Sequence, residues 1–460
     1  PTTVLALVIF TLTVIASLAD MRAGMILAIA GSYFMPFLSR LMLGATATVL
    51  KPDLLAAGPD VLLGIVGGVY IVNMASSRHL ARSGRLTRDI LVFVLLSIVQ
   101  VFNPAKSIST GFYGARVDIL PIVMYFVGRD YLQEDFLVHW VLRAVMTFSL
   151  LDMGYAFYQY FVGYPAWDQA YLAAFPDVQR MMIWEGTHEL VGFRKLFSMS
   201  GGSYDLQYPL ALFGILLASL PGNALSRDTR LLRICYFLSL GFLFALGIER
   251  TPLAMFLVGL FASAAIRLGG KWARLLLLSS LVCVALYAVG GSWVRPYLMQ
   301  SGSLKLVRLG ELFDPFNAST LQSRAIQIWP LAWAYIKESP LLGYGVGSAT
   351  QSAGGRFGEL LIAPHNWYLK VWLELGAGGL FLLIVLIILC LDTASKAARN
   401  PCVGLVTRYV ATGFWGAIIA VLLAAVANIP LEYHLAIFFW LLVGFVARDQ
   451  ERSAQHAGSG

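Results

Sequence analysis

The chain has 460 residues, 58% of them hydrophobic and 13% charged, with a formal net charge of +8. A soluble domain carries about 25% charged residues, so an ordinary soluble fold is excluded. The apolar residues come in repeated blocks of about 17–25, the length that crosses a bilayer, and alternating ten-residue strands of a membrane β-barrel are missing. The positive charge sits in loops between these blocks, where Lys and Arg orient a membrane protein. It therefore does not argue for nucleic acid. Of the four cysteines, Cys235, Cys283 and Cys390 lie in apolar spans and Cys402 in a loop, which predicts no disulfide framework.

In chain order, apolar spans are expected near 3–19, 24–43, 56–75, 89–102, 115–132, 136–162, 204–221, 230–247, 251–267, 273–293, 366–391, 405–427 and 431–447. The pattern predicts an all-α polytopic membrane protein of 12 or 13 transmembrane helices, read as a single membrane domain over 1–460. Loops 76–88, 222–233, 267–274 and 392–408 are basic and mark the cytoplasmic side. Alternation then places 163–203, 248–251, 294–365 and 428–431 outside, which in a bacterium is the periplasm.

Two outer loops are long, 163–203 and 294–365. The second contains a predicted helix near 320–337, opened by Ser319 with Gln322 three residues on. Ile326, Trp329, Trp333 and Ile336 fall on one stripe, and Pro330 is expected to kink the helix. Trp on the apolar face suits the membrane surface.

Chemistry-bearing residues gather on the outer side. Arg250 lies in the short turn Gly247-Ile-Glu-Arg-Thr-Pro252. It is either a snorkelling arginine or a phosphate clamp, since a guanidinium offers paired donors and keeps its charge. Glu249 either orients it or is a surface acid. Arg324 lies near the start of the loop helix, where free N–H groups favour anions; its alternative is a solvated face. His365, between Pro364 and Asn366, stands where the long loop re-enters the membrane. Its imidazole can take a proton from a hydroxyl or donate to a phosphate. Asn366 can cap the next helix or fix the ring.

Arg194 and Lys195 can attract an anionic head group. The turn Gly343-Tyr-Gly-Val-Gly347, which contains Tyr344, can bring N–H groups to a phosphate but lacks the Gly-Lys-Ser/Thr of a P-loop. Glu374 lies inside a span with Lys370 four residues earlier as a structural partner. Glu432 and His434 are at the outer end of the last span. No metal-ligand motif is present, and neither a metal nor another cofactor is expected.

Ser323-Arg-Ala-Ile-Gln-Ile-Trp329, Ser339-Pro-Leu-Leu-Gly-Tyr-Gly345, Pro364-His-Asn366 and Leu373-Glu-Leu-Gly376, with Glu249-Arg-Thr251 upstream, together resemble the O-antigen ligase and polymerase superfamily over residues 200–390. Its members are membrane glycosyltransferases of GT-C type. The resemblance implies catalytic roles for Arg250, Arg324 and His365, with Arg194, Glu249, Tyr344 and Asn366 binding substrate. It implies a glycan donor linked to undecaprenyl pyrophosphate, no metal, and a site facing the periplasm from the bacterial inner membrane. Glu249 departs from the pattern, where a small polar residue often precedes the arginine. A polymerase of O-antigen or exopolysaccharide repeat units is favoured over a ligase to lipid A core, on Tyr158-Gln-Tyr160 and the long 163–203 loop. Expected partners are the lipid-linked oligosaccharide, membrane lipids and chain-length or export proteins. A lipid-linked oligosaccharide flippase, or a structural subunit of an export complex, is the rival of another class.

Overall fold

Uninterrupted apolar sequence with few breakers folds as helix in a bilayer, because every backbone N–H and C=O must find its partner within the segment. The computed structural model describes residues 2–46, 55, 57–77, 84–174, 198–199, 203–247, 250–268, 296–298, 300, 319–350, 357–431 and 433–458. Its helices are α1 (Thr2–Ala19), α2 (Met21–Thr46), α3 (Gly58–Ser77), α4 (Arg85–Val101), α5 (Ile108–Asp118) and α6 (Val123–Tyr131). There follow α7 (Leu142–Phe161), α8 (Ala166–Ala174), α9 (Ser203–Ser219), α10 (Arg227–Gly247) and α11 (Arg250–Leu268). The C-terminal part comprises α12 (Ser319–Ser323), α13 (Trp329–Glu338), α14 (Trp367–Arg399), α15 (Leu405–Ala427) and α16 (Tyr433–Gly458).

The fold is all-helical and polytopic, as expected. Seven helices among the described residues are long and apolar enough to cross a membrane, and Thr3–Ala19 and Leu206–Ser219 are shorter apolar helices. Helix occupies every expected span except 273–293, which lies outside the described residues, and 115–132 is divided between α5 and α6.

Small residues let the central helices approach closely. A Cβ on Gly416 of α15 would lie 2.1 Å from Ser263 Oγ and 2.3 Å from the Gly259 carbonyl of α11, and one on Gly259 would lie 3.3 Å from Ala420. The two helices are therefore antiparallel, with 259 level with 420 and 263 level with 416. At one end of the bundle sit basic loops, where Arg267 stacks over Tyr409 at 4.9 Å and Arg143 donates to Thr229 at 2.8 Å. The opposite end, called distal below, carries the candidate site.

Helix α14 determines that end. It breaks at Gly376, whose φ of 70° and ψ of −173° belong to a region open only to glycine. Residues equidistant from the α14–α15 connection face each other, so Leu383 meets Val421 across a shared apolar groove and Gly376 stands level with Asn428, just past the end of α15. A straight α14 would carry Asn366 about 15 Å further out. Instead Asn366 Nδ2 donates to the Val426 carbonyl at 2.9 Å. The half of α14 before Gly376 is thus folded back across the end of α15. The whole of Trp367–Arg399 is apolar and long enough to cross a membrane, as expected from 366, with Glu374 in the part before the break. The Ser339–Thr350 loop fills the break: Tyr344 N–H donates to the Leu373 carbonyl at 2.7 Å, and Gly345 N–H to the Glu374 carbonyl at 2.9 Å. A Cβ on Gly376 would lie 2.0 Å from the Leu341 carbonyl. Gly376→Ala is accordingly expected to cost roughly 1–3 kcal/mol or more, read as a lower Tm in detergent.

Candidate functional site

The site assembles around the last carbonyls of α15. A helix C-terminus leaves carbonyls without intrahelical partners and carries partial negative charge. Here two residues from the long outer loop take them. Asn366 holds Val426, and an Arg324 Nη1 donates to the Ala427 carbonyl. Asn428 Nδ2 next to them donates to the Tyr208 hydroxyl at 2.7 Å.

Arg324 reaches this point because of Pro330. Proline has no N–H to give and its ring crowds the carbonyl four residues back. The chain relieves this by a π turn over Arg324–Ile328, inserted between α12 and α13, with Pro330 in the first turn of α13. The expected kink is therefore a π turn, a feature frequent at functional sites. It also breaks the expected stripe. Ile336 and Ala332 are buried, whereas Ile326 is 71% exposed, since the extra residue in the turn rotates what precedes it. Trp333, on the same helix as Ile336, is 42% exposed and meets Trp372 edge-on.

His365 sits at the N-terminal end of α14, outside the membrane-spanning part. Its φ of 47° is left-handed, unusual for a residue with a Cβ. Neighbouring bonds hold it there. Trp329 Nε1 donates to the Pro364 carbonyl at 3.0 Å, tying the end of the π turn to the residue before the histidine. On the other side Asn366 is the N-cap of α14, its Oδ1 accepting from Leu369 N–H at 3.0 Å. Burial, and then the nearby positive charge of Arg324, lower the His365 pKa to about 4. The imidazole is neutral at pH 7 and can accept a proton or donate one N–H.

Arg250 opens α11. Nine residues before Gly259, it is level in the antiparallel register with residue 429, just beyond the end of α15. The backbone thus brings Arg250 to the same end of the bundle as Arg324 and His365. Glu249, Arg194, Lys195 and Glu432 lie outside the described residues, as do the side chains of Arg250 and His434.

Two expectations are placed elsewhere. The Tyr344 hydroxyl donates to the Tyr335 carbonyl at 3.2 Å and Glu338 at 3.0 Å, at the end of α13 remote from Arg324, so the structure does not bring Tyr344 to the other candidates. Four N–H groups of the Gly343–Gly347 turn bond inside the protein, those of Gly343, Tyr344, Gly345 and Gly347, the last to Glu374 at 3.1 Å. The Asn366 amide is engaged at both ends, fastening the loop to α15 and capping α14.

Sequence reading overlooked the Val426 and Ala427 carbonyls, which as backbone atoms carry no residue signature. It also overlooked Asp118, which pairs with Lys370 at 2.5 Å across 252 residues of sequence.

Seven apolar helices, with a guanidinium and a neutral imidazole near one another at one end of the bundle, describe a multi-pass membrane protein with a candidate polar site. Residues 235–384 match the family model described as O-antigen ligase. The match runs from within α10 into α14 and includes Arg250, Arg324 and His365. It bears out the superfamily expected from the motifs and supports a function of the O-antigen ligase or polymerase type. No curated protein matches the chain.

Proposed function

We propose that the protein is a glycosyltransferase that moves a glycan from undecaprenyl pyrophosphate to an acceptor hydroxyl, at the periplasmic face of the bacterial inner membrane. The observation that carries this reading is the adjacency of Arg324 and His365 at the distal end of α15, inside the segment that matches the O-antigen ligase family. The basic loops at the other end support the orientation. A small apolar pocket between α14, α15 and α16, lined by Trp367, Leu383, Val421 and Phe439 among others, lies on the same helices.

In the proposed step the acceptor oxygen attacks the anomeric carbon as the bond from that carbon to the phosphate oxygen breaks. The electron pair leaves with the pyrophosphate, whose growing charge Arg324 and Arg250 neutralise. The acceptor proton passes to His365, and configuration inverts. Arrival of an anionic donor offsets the Arg324 charge, which raises the His365 pKa toward the range useful for a base. Two guanidiniums supply the charge neutralisation, so the step requires no metal.

Polymerisation of O-antigen or exopolysaccharide repeat units is the favoured form. The description of the matched family favours a second form, transfer to lipid A core by a ligase. Purified protein incubated in chelator with a lipid-linked repeat unit, with and without lipid A core, tests both. A ladder supports the polymerase, a single transfer to core the ligase, and no product in either overturns the enzymatic reading.

A further inference from the structure

For His365 to stand beside Arg324, the first half of α14 must stay folded across the end of α15. Gly376 permits that bend but does not hold it. The Asn366 bond to Val426 and the loop bonds to the Leu373 and Glu374 carbonyls contribute, and two buried side chains add to them. Glu374 Oε1 accepts from Gly347 N–H at 3.1 Å, Ala349 N–H at 3.0 Å and Thr350 Oγ1 at 2.9 Å. Its Oε2 lies 3.5 Å from Lys370 Nζ, one turn back. Lys370 in turn is 2.5 Å from Asp118 at the end of α5, which ties the half-helix to a distant part of the bundle.

Both charges are buried, Lys370 at 1% and Glu374 at 3% exposure. Buried charges persist where directional contacts are required, since apolar residues of similar volume pack as well. The loop clamped by Glu374 also leads to the histidine: Leu361 N–H donates to the Ser348 carbonyl at 3.0 Å, four residues before His365.

We propose that Glu374 and Lys370 are positioning residues, which lock the half-helix in its bent setting and thereby hold His365 against Arg324. This rests on the reading of Arg324 and His365 as one site. Neither residue touches the reacting atoms. Losing the lock lets the half-helix straighten, which carries His365 away from Arg324 and into water.

The test follows the titration of His365 in the purified full-length protein, by pH-dependent carbethoxylation of its peptide read by mass spectrometry. The wild type should titrate near the value of about 4 set by burial and Arg324. Glu374→Ala and Lys370→Met should move the midpoint upward by about one unit or more, toward the ordinary histidine value. Glu374→Gln, which keeps an oxygen for the three donors, should recover most of the wild-type position. Folded Glu374→Ala and Lys370→Met proteins with an unmoved His365 midpoint would overturn the proposal. If those variants do not fold, Asp118→Asn, which leaves α14 unaltered, must raise the midpoint, and an unmoved one is equally fatal. The readout is independent of catalysis: shifted midpoints in a protein that transfers no glycan would retain the lock and reject the proposed function.

Discussion

Arg324→Lys is expected to lower glycan transfer by about 10²–10³-fold although the positive charge is kept. The guanidinium has work in two directions. One Nη donates to the Ala427 carbonyl, while the charge acts on His365. A planar group with five donors can hold the helix end and still present a fork to a phosphate. An ammonium has three donors on one nitrogen and lacks the planar fork that grips a phosphate in two places. The contact with the helix end is worth only about 0.3–1 kcal/mol, so Tm should change little while transfer collapses. Transfer rate and Tm measured on the same preparation check this. A lysine variant with wild-type turnover would reduce Arg324 to a fastener of α15.

His365→Gln is expected to cost about 10²–10⁴-fold in transfer, the range for a lost general base, and the wild type should show an acid limb governed by this residue. The sign is fixed by the environment. The folded-state pKa of about 4 lies below the ordinary 6.5, lowered by burial and then by Arg324. Activity that needs neutral imidazole is therefore present at pH 7 and lost as pH falls through the folded value, with the limb moved upward by bound anionic donor. Stability follows the same direction. The unfolded chain takes up the proton first, so the contribution of neutral His365 is complete above pH 6.5 and is lost between 6.5 and about 4. Removing the neighbouring charge in Arg324→Ala should shift the acid limb to higher pH. A pH–rate profile unchanged between wild type and Arg324→Ala would show that the two residues are uncoupled.

The all-helical membrane class was legible because hydropathy is a local signal that lipid enforces. Arg324 and His365 were legible as motif residues, and the cap at Asn366 follows from its place before an apolar run. Other features were hidden by their physics. The break at Gly376 lies at the head of the most apolar segment of the chain, where composition reads as one continuous helix. It depends on the Leu341 carbonyl and the N–H groups of Tyr344 and Gly345, donors and acceptors from a loop thirty residues away. The π turn at Arg324–Ile328 was foreshadowed by Pro330, yet a kink and an inserted residue leave the same trace in sequence and turn the apolar stripe differently. Glu374 and Lys370 were visible as a pair at helical spacing, but their purpose depends on Asp118 and the Gly347–Thr350 backbone. The meeting point itself consists of main-chain carbonyls, which any residue could supply.

Arg250, Arg324 and His365 matter together only if they receive a diphosphate at the distal end of α15. Binding of undecaprenyl pyrophosphate, compared with the monophosphate, to purified wild type, Arg250→Ala, Arg324→Ala and the double variant tests this most directly. Tighter binding of the diphosphate by wild type, weakened by each substitution and erased as a preference in the double variant, is the predicted result. Equal binding of both lipids by all four proteins would contradict it.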